Sequence, residues 1–244
     1  IKETGIVGRP DYPGQNFSFS GRQMYFGIRE HAMGAITNGM LLHGGFRPFG
    51  ATFLVFSDYF RPAIRLAALS KLPNIFVFTH DSIFLGEDGP THQPVEHHWA
   101  LRIIPDLAYF RPADGVEVAM SWQYALSQNH RPVAFGLTRQ GLPALERSAT
   151  TPQDVLRGGY ILNADQDSQL TLIATGSEVH IAVESAEALR RDGHRVRVVS
   201  MPCVDLFLEQ EKSYQSTVLG NGMRVSIEAG STHPWAQFTG LNGL

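Results

Sequence analysis

The sequence predicts an α/β protein made of two consecutive three-layer α/β/α units with mostly parallel sheets. Two observations lead to this prediction. Short apolar runs alternate with amphipathic helical segments, and the alternation lapses once into Pro, Thr, Ser and charged residues, 146–158. Strands that alternate with helices are typical of a parallel sheet with helices on both faces. We therefore expect one unit over residues 1–145, a linker over 146–158 and a second unit over 159–244.

The first unit begins with residues 1–26, which are rich in Gly, Pro and Ser and have no periodicity. They predict an ordered loop that ends in a short strand at 24–26. Residues 51–56 fit either a strand or a helix. The remaining periodicity of the first unit predicts strands at 74–79, 108–111 and 132–137, and helices at 31–42, 62–72, 97–103 and 116–128.

The second unit repeats the alternation, with strands predicted at 170–174, 195–199 and 223–227 and a helix at 179–192. The turn Gly176-Ser-Glu178 either binds an anion through helix N-terminal amides or uses Ser177 as the helix cap, and we favour the cap. Glu228 directly follows the last predicted strand. Both chain ends have the character of interrupted elements, so we expect a fragment of a longer enzyme.

The composition indicates a globular protein that acts on small molecules. The 244 residues carry a net charge of −3, which provides no basic surface for nucleic acid or an anionic membrane. Cys203 is the only cysteine, which excludes an internal disulfide and suits a reducing compartment. No apolar run approaches the roughly 20 residues that span a bilayer. We expect a cytoplasmic protein.

The densest group of polar side chains is segment 80–94, which follows a predicted strand. Ligands of parallel α/β sheets bind beyond the carboxyl ends of the strands. We therefore expect His80 at a strand tip and Asp88 and His92 on the loop above it, facing a polar substrate. Arg139 follows a later strand at the same edge, where it either grips a phosphate or pairs with a surface carboxylate.

Two earlier segments contain further candidates. Glu30 lies where an apolar helix begins, and burial there would raise the pKa of its carboxyl and suit proton transfer. It could equally cap the helix or pair with Arg29. Phe53, Phe56 and Tyr59 recur every third residue, and form either a surface that stacks a flat heterocycle or an ordinary packed core.

The stretch around His92, Glu96 and His97 has the residue types of a metal site but not the spacing. Zinc-binding helices place two histidines four residues apart, whereas His92 and His97 are five apart with Pro94 between them. We therefore expect no metal ligands in this chain. His97 and the neighbouring His98 are expected to be hydrogen-bonded structural residues.

Seven motifs, in order along nearly the whole chain, together resemble transketolase closely. They are Gly27-Ile-Arg-Glu-His-Ala-Met-Gly34, Leu42-His-Gly-Gly45, Thr52-Phe-Leu-Val-Phe56, Thr79-His-Asp-Ser82, Gly86-Glu-Asp-Gly-Pro-Thr-His-Gln-Pro94, Arg111-Pro-Ala-Asp114 and Ala174-Thr-Gly-Ser-Glu178. The resemblance implies most of a pyrimidine-binding domain followed by part of a transketolase C-terminal domain. Related thiamine enzymes share the general layout, but segment 80–94 resembles transketolase rather than those.

The resemblance implies a thiamine diphosphate enzyme that moves a two-carbon ketol unit from a ketose phosphate to an aldose phosphate in the pentose phosphate pathway. By that likeness, Glu30 is catalytic and hydrogen-bonds the pyrimidine ring of the cofactor, which activates the thiazolium for proton loss. Phe53, Phe56 and Tyr59 would surround the pyrimidine ring.

By the same likeness, the remaining candidates contact the sugar phosphate substrates. His80 and Arg139 would bind the sugar and its phosphate, Asp88 a substrate hydroxyl, and His92 would be catalytic beside the ketol carbons. These assignments replace the metal hypothesis for this loop with a substrate-binding one.

The sequence departs from the family in one respect that bears on activity. The domain that holds the diphosphate through Mg or Ca in transketolases has no counterpart among these residues. The resemblance therefore implies that the chain supplies the pyrimidine and substrate half of the site and is inactive alone. It would need a homodimer or a complementing diphosphate-domain chain. Two alternatives stay open, an enzyme like 1-deoxyxylulose-5-phosphate synthase and a noncatalytic transketolase-like interaction module.

Overall fold

A computed structural model of the chain describes residues 21–147, 150–240 and 243. The part of the predicted N-terminal loop at 1–20 lies outside the described residues. The strand expected at 24–26 is wrong, because these residues are irregular and only Gln23 forms an isolated bridge. The Phe26 side chain instead packs against the hydrophobic core of the first unit. Its apolar character therefore reflects this packing and not a strand.

The first unit is a parallel four-stranded sheet with helices packed against it. Its strands run in the order β1-β2-β4-β3. The helices and strands are α1 Glu30–His43, β1 Phe49–Phe53, α2 Ser57–Leu69, β2 Ile75–Thr79, α3 His97–Arg102, β3 Ala108–Phe110, α4 Gly115–Ser127 and β4 Val133–Leu137.

The segment that fitted either a strand or a helix contains both. Strand β1 ends at Phe53, and a 3₁₀ turn, Leu54–Phe56, continues directly into α2. Helix α2 therefore begins at Ser57, before the predicted start, and Pro62 lies inside it. The short connection places the side chains of the turn beside the carboxyl end of β1.

The second unit is a mixed sheet in the order β5-β7-β6-β8, in which only the edge strand β5 is antiparallel. Its elements are β5 Tyr160–Ala164, β6 Leu170–Ala174, α5 Glu178–Arg191, β7 Val196–Ser200, α6 Val204–Leu208, α7 Lys212–Leu219, β8 Met223–Ile227 and α8 Ala236–Thr239. The two-unit, mostly parallel α/β prediction is confirmed. The sequence analysis missed β5, α6, α7 and α8, and the predicted linker contains a 3₁₀ helix, Pro152–Arg157.

Helices α1 and α2 approach each other closely at a glycine. A Cβ atom on Gly34 would lie 2.6 Å from the Cβ atom of Ala63 and closer still to the Phe60 ring. Beside this contact, the buried Asn38 side chain donates to the Ala63 carbonyl at 2.9 Å. The helix that begins at Glu30 is therefore held rigidly against the helix that follows the aromatic turn.

The two units share a buried interface with polar contacts. Glu117 of α4 accepts hydrogen bonds from Tyr160 at 2.7 Å and Ser200 at 2.6 Å. Asp205 of α6 accepts from the backbone N–H of Tyr109 at 3.3 Å. Burial raises the pKa of Asp205 to about 6. Keeping this carboxyl ionised at the interface therefore costs folding free energy, and that cost depends on pH.

Within the described part of the chain, no helix has the length and apolar character needed to cross a membrane.

The α1–α2 contact predicts opposite effects for two glycine substitutions in the same helix. Gly34→Ala pushes α1 away from Phe60 and Ala63 of α2 and should lower the free energy of unfolding by about 1–3 kcal/mol. Gly39→Ala meets no atom within 4 Å and should raise it by up to ~1 kcal/mol, since alanine favours the helix. Urea unfolding followed by circular dichroism measures both. Equal effects of the two changes would contradict the close approach.

Asp205 predicts a pH-dependent stability. Its carboxyl ionises near 3.8 in the unfolded chain and only near 6 in the folded one, so the folded state binds more protons between these values. The contribution of Asp205 to stability should therefore fall as the pH rises through this window and then stay constant. Asp205→Asn keeps an acceptor without the charge and should stabilise the chain at pH 8, by up to roughly 3 kcal/mol.

The advantage of Asp205→Asn should shrink as the pH is lowered toward 4. The exposed aspartate Asp106 provides the control, and Asp106→Asn should leave the pH dependence unchanged. Chemical unfolding at a series of pH values measures both. An advantage of Asp205→Asn that did not vary with pH would show that ionisation of this carboxyl has no part in it.

Candidate active site

The carboxyl ends of three adjacent parallel strands define one edge of the first sheet. Phe53 of β1 is in register with Thr79 of β2, and Thr79 is in register with Leu137 of β4. The residues that follow these positions therefore leave the sheet side by side. His80 and Arg139 are among them, as the sequence predicted.

Four rings meet at this edge. The Phe53 ring centroid lies 4.9 Å from that of His80 and 6.1 Å from that of His92. The Phe56 ring stacks on Phe53 at 6.2 Å and lies 5.4 Å from His92. All four side chains are only partly buried, so they form a wall rather than an internal core.

Glu30 lies on the same wall, in an open cleft of about 590 Å³. Glu30 lines this cleft together with Phe56, Tyr59 and the residues around it in sequence. It is the first residue of α1, and its side chain is half-buried. Arg29 donates to the Phe26 carbonyl at 2.9 Å, and no ion pair joins it to Glu30 among the described residues. The carboxylate is therefore placed beside two aromatic side chains, with the cleft in front of it.

The loop after β2 brings the other candidates close. The His92 backbone N–H donates to the Gly89 carbonyl at 3.1 Å, which closes a tight turn over residues 89–92 directly after Asp88. Asp88 is exposed. The exposed guanidinium of Arg139 lies against the same loop, since a Cβ atom on Gly86 would be 3.2 Å from its Nη1 atom. Asp88 and Arg139 thus lie on or against the loop that brings His92 to the aromatic wall.

His80 has one unfulfilled hydrogen-bonding group. Its Nδ1 atom is buried and has no partner in the described structure. A buried polar atom without a partner costs about 1–3 kcal/mol, so such atoms usually serve a ligand or an ordered water. The Nδ1 atom of His80 is therefore a polar group that the described part of the protein encloses without satisfying it.

The structure brings together a cluster that sequence spacing did not. Possible ligand atoms of Asp58, Glu96 and His97 all lie within 4.8 Å of one another. Asp58 joins the group from α2, while His92, which the metal hypothesis had included, lies on the aromatic wall instead. Asp58 already pairs with His97 Nε2 at 3.2 Å and with Arg61 at 2.9 Å. Hydrogen bonding accounts for these contacts without an ion.

Behind the wall lies an ion-pair network that the sequence analysis missed. Arg111, which directly follows β3, is fully buried and bonds three carboxylates. Its Nη2 atom lies 2.7 Å from Asp81, and its Nη1 atom lies 2.7 Å from Glu178 and 3.0 Å from Glu228. Arg102 adds a bidentate pair to Glu228 at 2.8 and 2.9 Å. The sequence signal that could have revealed this network is a charged residue shortly after each of four strands, namely Asp81, Arg111, Glu178 and Glu228.

This network corrects the interpretation of the turn at Gly176. Ser177 makes no side-chain cap to α5, and its hydroxyl bonds the Glu178 carboxylate instead. Nor does the turn hold a separate anion, because the Arg111 guanidinium packs against it and already bonds the Glu178 carboxylate. The capping prediction is therefore wrong, and the turn surrounds a cation.

Charges in the network shift its pKa values in ways that keep it ionised. Burial alone would raise the pKa of Glu228, but the nearby cations, Arg102 foremost, hold it far below its usual range. Burial and the Arg111 charge lower the pKa of His98, which accepts or donates a hydrogen bond with Tyr109 at 2.9 Å. His98 is thus a neutral structural residue, as expected.

Comparison with known families agrees with this architecture. Residues 8–144 match the family described as "Transketolase, pyrimidine binding domain". Residues 158–244 match the family described as "Transketolase-like TK C-terminal domain". The two matches correspond to the two sheets described above.

Individual relatives extend over nearly the whole chain. The transketolase of Halalkalibacterium halodurans is 52% identical over 235 residues, which cover 93% of this chain and 35% of that protein. The transketolase of Aquifex aeolicus is 49% identical over 230 residues, with 92% and 33% covered. The chain thus spans about a third of the length of the curated relatives it matches.

Solved structures show the same relation. A transketolase from Campylobacter jejuni superposes with a TM-score of 0.87 at 46% identity, covering 91% of this chain and 34% of that one. A structure described as "Split gene transketolase, inactive beta4 tetramer" has a TM-score of 0.67 at 25% identity, covering 85% of this chain and 65% of that one. Because one family match covers more than half of the residues and the relatives agree along nearly all of them, the chain belongs to the transketolase family.

Proposed function

We propose that this chain supplies the pyrimidine-binding and substrate-binding side of a transketolase. The reaction is the reversible transfer of a two-carbon ketol unit from a ketose phosphate to an aldose phosphate, a step of the pentose phosphate pathway. The observation that carries the proposal is an open cleft that Glu30 lines with Phe56 and Tyr59, beside which Phe56 contacts Phe53 and His92, and Phe53 contacts His80. Family membership supports it.

The cleft residues fit an aminopyrimidine ring of thiamine diphosphate. Phe53, Phe56 and Tyr59 present apolar ring surface that can pack on a flat heterocycle. Glu30 provides a half-buried carboxylate at the edge of the same surface, suited to exchange a proton with a ring nitrogen. When bound, the cofactor supplies the electron sink for cleavage of the ketose. The chain's part is to hold the ring and to fix the proton at Glu30.

The surrounding polar groups fit a sugar phosphate. The partly buried rings of His80 and His92 can bond sugar hydroxyls and move a proton at the ketol carbons. Asp88 can accept a further hydroxyl. Arg139, exposed beside the loop, can bind the phosphate with its planar fork. His80, Asp88, His92 and Arg139 are therefore the proposed substrate contacts.

The rim of the cleft supports a second protein surface opposite the wall. Ile28 is 94% exposed and Tyr59 is 65% exposed, and both line the cleft. Large exposed apolar side chains beside a proposed catalytic carboxylate are typical of a surface that another protein domain covers. We propose that a diphosphate-binding domain, holding the cofactor through Mg or Ca, completes the site in a homodimer or in a complex with a complementing chain.

The domain limits and the location belong to the same proposal. The pyrimidine-binding domain would occupy residues 1–145, the linker 146–158 and the C-terminal domain 159–244. A cytoplasmic location suits the lone, buried and free Cys203.

One observation favours a second function. The similar structure described as a split-gene transketolase is called an inactive tetramer, and this chain covers 65% of its length. A chain of this kind can exist as a separate, noncatalytic assembly subunit.

A donor preference for pyruvate would instead indicate an enzyme like 1-deoxyxylulose-5-phosphate synthase.

The proposal predicts activity on reconstitution and its loss at Glu30. The chain is mixed with a transketolase diphosphate-binding domain, thiamine diphosphate and Mg²⁺, and turnover of xylulose 5-phosphate with ribose 5-phosphate is measured. Glu30→Gln should lower turnover by roughly 10²- to 10⁴-fold, because it removes the proton-exchanging group while keeping the side-chain shape.

The matched control is Glu187→Gln, at an exposed position on α5. It should leave turnover unchanged. An assembly that forms but never turns over would favour the noncatalytic subunit, and full activity in Glu30→Gln would remove Glu30 from the mechanism. Offering pyruvate as donor in the same assay separates the synthase alternative.

A further inference from the structure

The second unit fixes the position of Arg111 from both its backbone and its side chain. The Arg111 N–H donates to the Pro202 carbonyl at 2.7 Å, and the Arg111 carbonyl accepts from Gly176 at 2.9 Å. Glu178 and Glu228, both from the second unit, bond its guanidinium. Little freedom remains for a side chain held at so many points.

The guanidinium then crosses the first sheet to reach the site. Arg111 follows β3 and Asp81 follows β2, and β4 lies between them. The crossing occurs over Gly136 of β4, where a Cβ atom would lie 3.3 Å from Arg111 Cγ and closer to the Tyr109 hydroxyl. A side chain at this position would block the path.

The turn after β6 is shaped around the same guanidinium. Gly176 has φ +59°, and a Cβ atom there would lie 2.9 Å from Arg111 Cζ. The left-handed backbone turns the chain so that Glu178 reaches Nη1. Ser177 bonds the other oxygen of the Glu178 carboxylate and holds it in place.

The last link joins Arg111 to the aromatic wall. Asp81 receives hydrogen bonds from Arg111 Nε at 3.1 Å and Nη2 at 2.7 Å. Its neighbour in sequence is His80, whose ring lies against Phe53 and whose Nδ1 atom has no partner. Movement of Asp81 would therefore move the backbone that carries His80.

We propose that Arg111 is a positioning residue through which the second unit sets the geometry of His80 at the substrate. Glu178 and Glu228 aim the guanidinium, the guanidinium holds Asp81, and Asp81 holds His80. The inference rests on the proposed function for the substrate role of His80, and it gives the C-terminal domain a part in substrate binding. Of the proposed cofactor contacts, Phe53 touches this chain of contacts through the His80 ring, so cofactor binding should be affected less than substrate binding.

Two glutamates provide a matched test. Glu178 and Glu117 are both buried and both join the two units, but only Glu178 contacts Arg111. Glu178→Gln weakens a charge-assisted bond and should shift the imidazole NMR signals of His80 in the 244-residue chain. Glu117→Gln should leave those signals in place even if it lowers Tm equally. A His80→Gln variant assigns the signals.

Kinetics of the reconstituted enzyme supply the second measurement. Glu178→Gln should raise the KM for the donor sugar roughly tenfold or more, since small displacements of a binding group are costly. Its Kd for thiamine diphosphate should stay within about twofold of the wild type. Glu117→Gln should change neither value. A wild-type assembly without turnover would overturn the proposed function alone, because the NMR comparison needs no activity.

A milder pair guards against loss of folding. Gly176→Ala presses on Arg111, whereas Gly193→Ala has the same left-handed strain but no atom within 4 Å. Only Gly176→Ala should shift the His80 signals, and Ser177→Ala should shift them in the same direction but less. The proposal is overturned if the His80 signals are unmoved in Glu178→Gln and Gly176→Ala, or move equally in their controls.

Discussion

The structure depends on one buried cation. Arg111 has no exposed surface, and three carboxylates from three different strand ends surround it. Two charges taken out of water gain little net stability from pairing, because desolvation offsets most of their attraction. Removing one partner is different, since it leaves an uncompensated buried charge and costs about 3–5 kcal/mol. The network therefore acts less as a source of stability than as a constraint on how the two units fit together.

That constraint extends to the loop beside the open cleft. The aromatic wall sits at the carboxyl ends of β1 and β2, and the loop after β2 is anchored at its first residues by Asp81. Farther along the same loop, Asp88 is exposed and His92 is held mainly by a turn. Among the described residues, direct bonds to the buried network are thus found at the start of the loop and not at Asp88 or His92.

How much could be predicted from sequence follows the range of the interactions. Buried parallel strands such as β2 and β4 are apolar runs and were found within a residue or two. Strand β5 was missed, because it is an antiparallel edge strand defined by pairing with β7 rather than by its own pattern. The candidate residues at strand tips came together as expected. The partners of Arg111 are 30, 67 and 117 residues away, and no local pattern encodes such contacts.

The same topological rule governs both sheets but with different outcomes. In an open parallel sheet, the carboxyl ends of the strands form the ligand-binding edge. In the first sheet, this edge lies beside the cleft that Glu30 and Phe56 line. In the second, the residues past β6 and β8, Glu178 and Glu228, are the groups that would meet a ligand, and they bind Arg111 instead. The guanidinium of the first unit thus lies at the ligand-binding edge of the second sheet, so the second unit contacts Arg111 without lining the cleft.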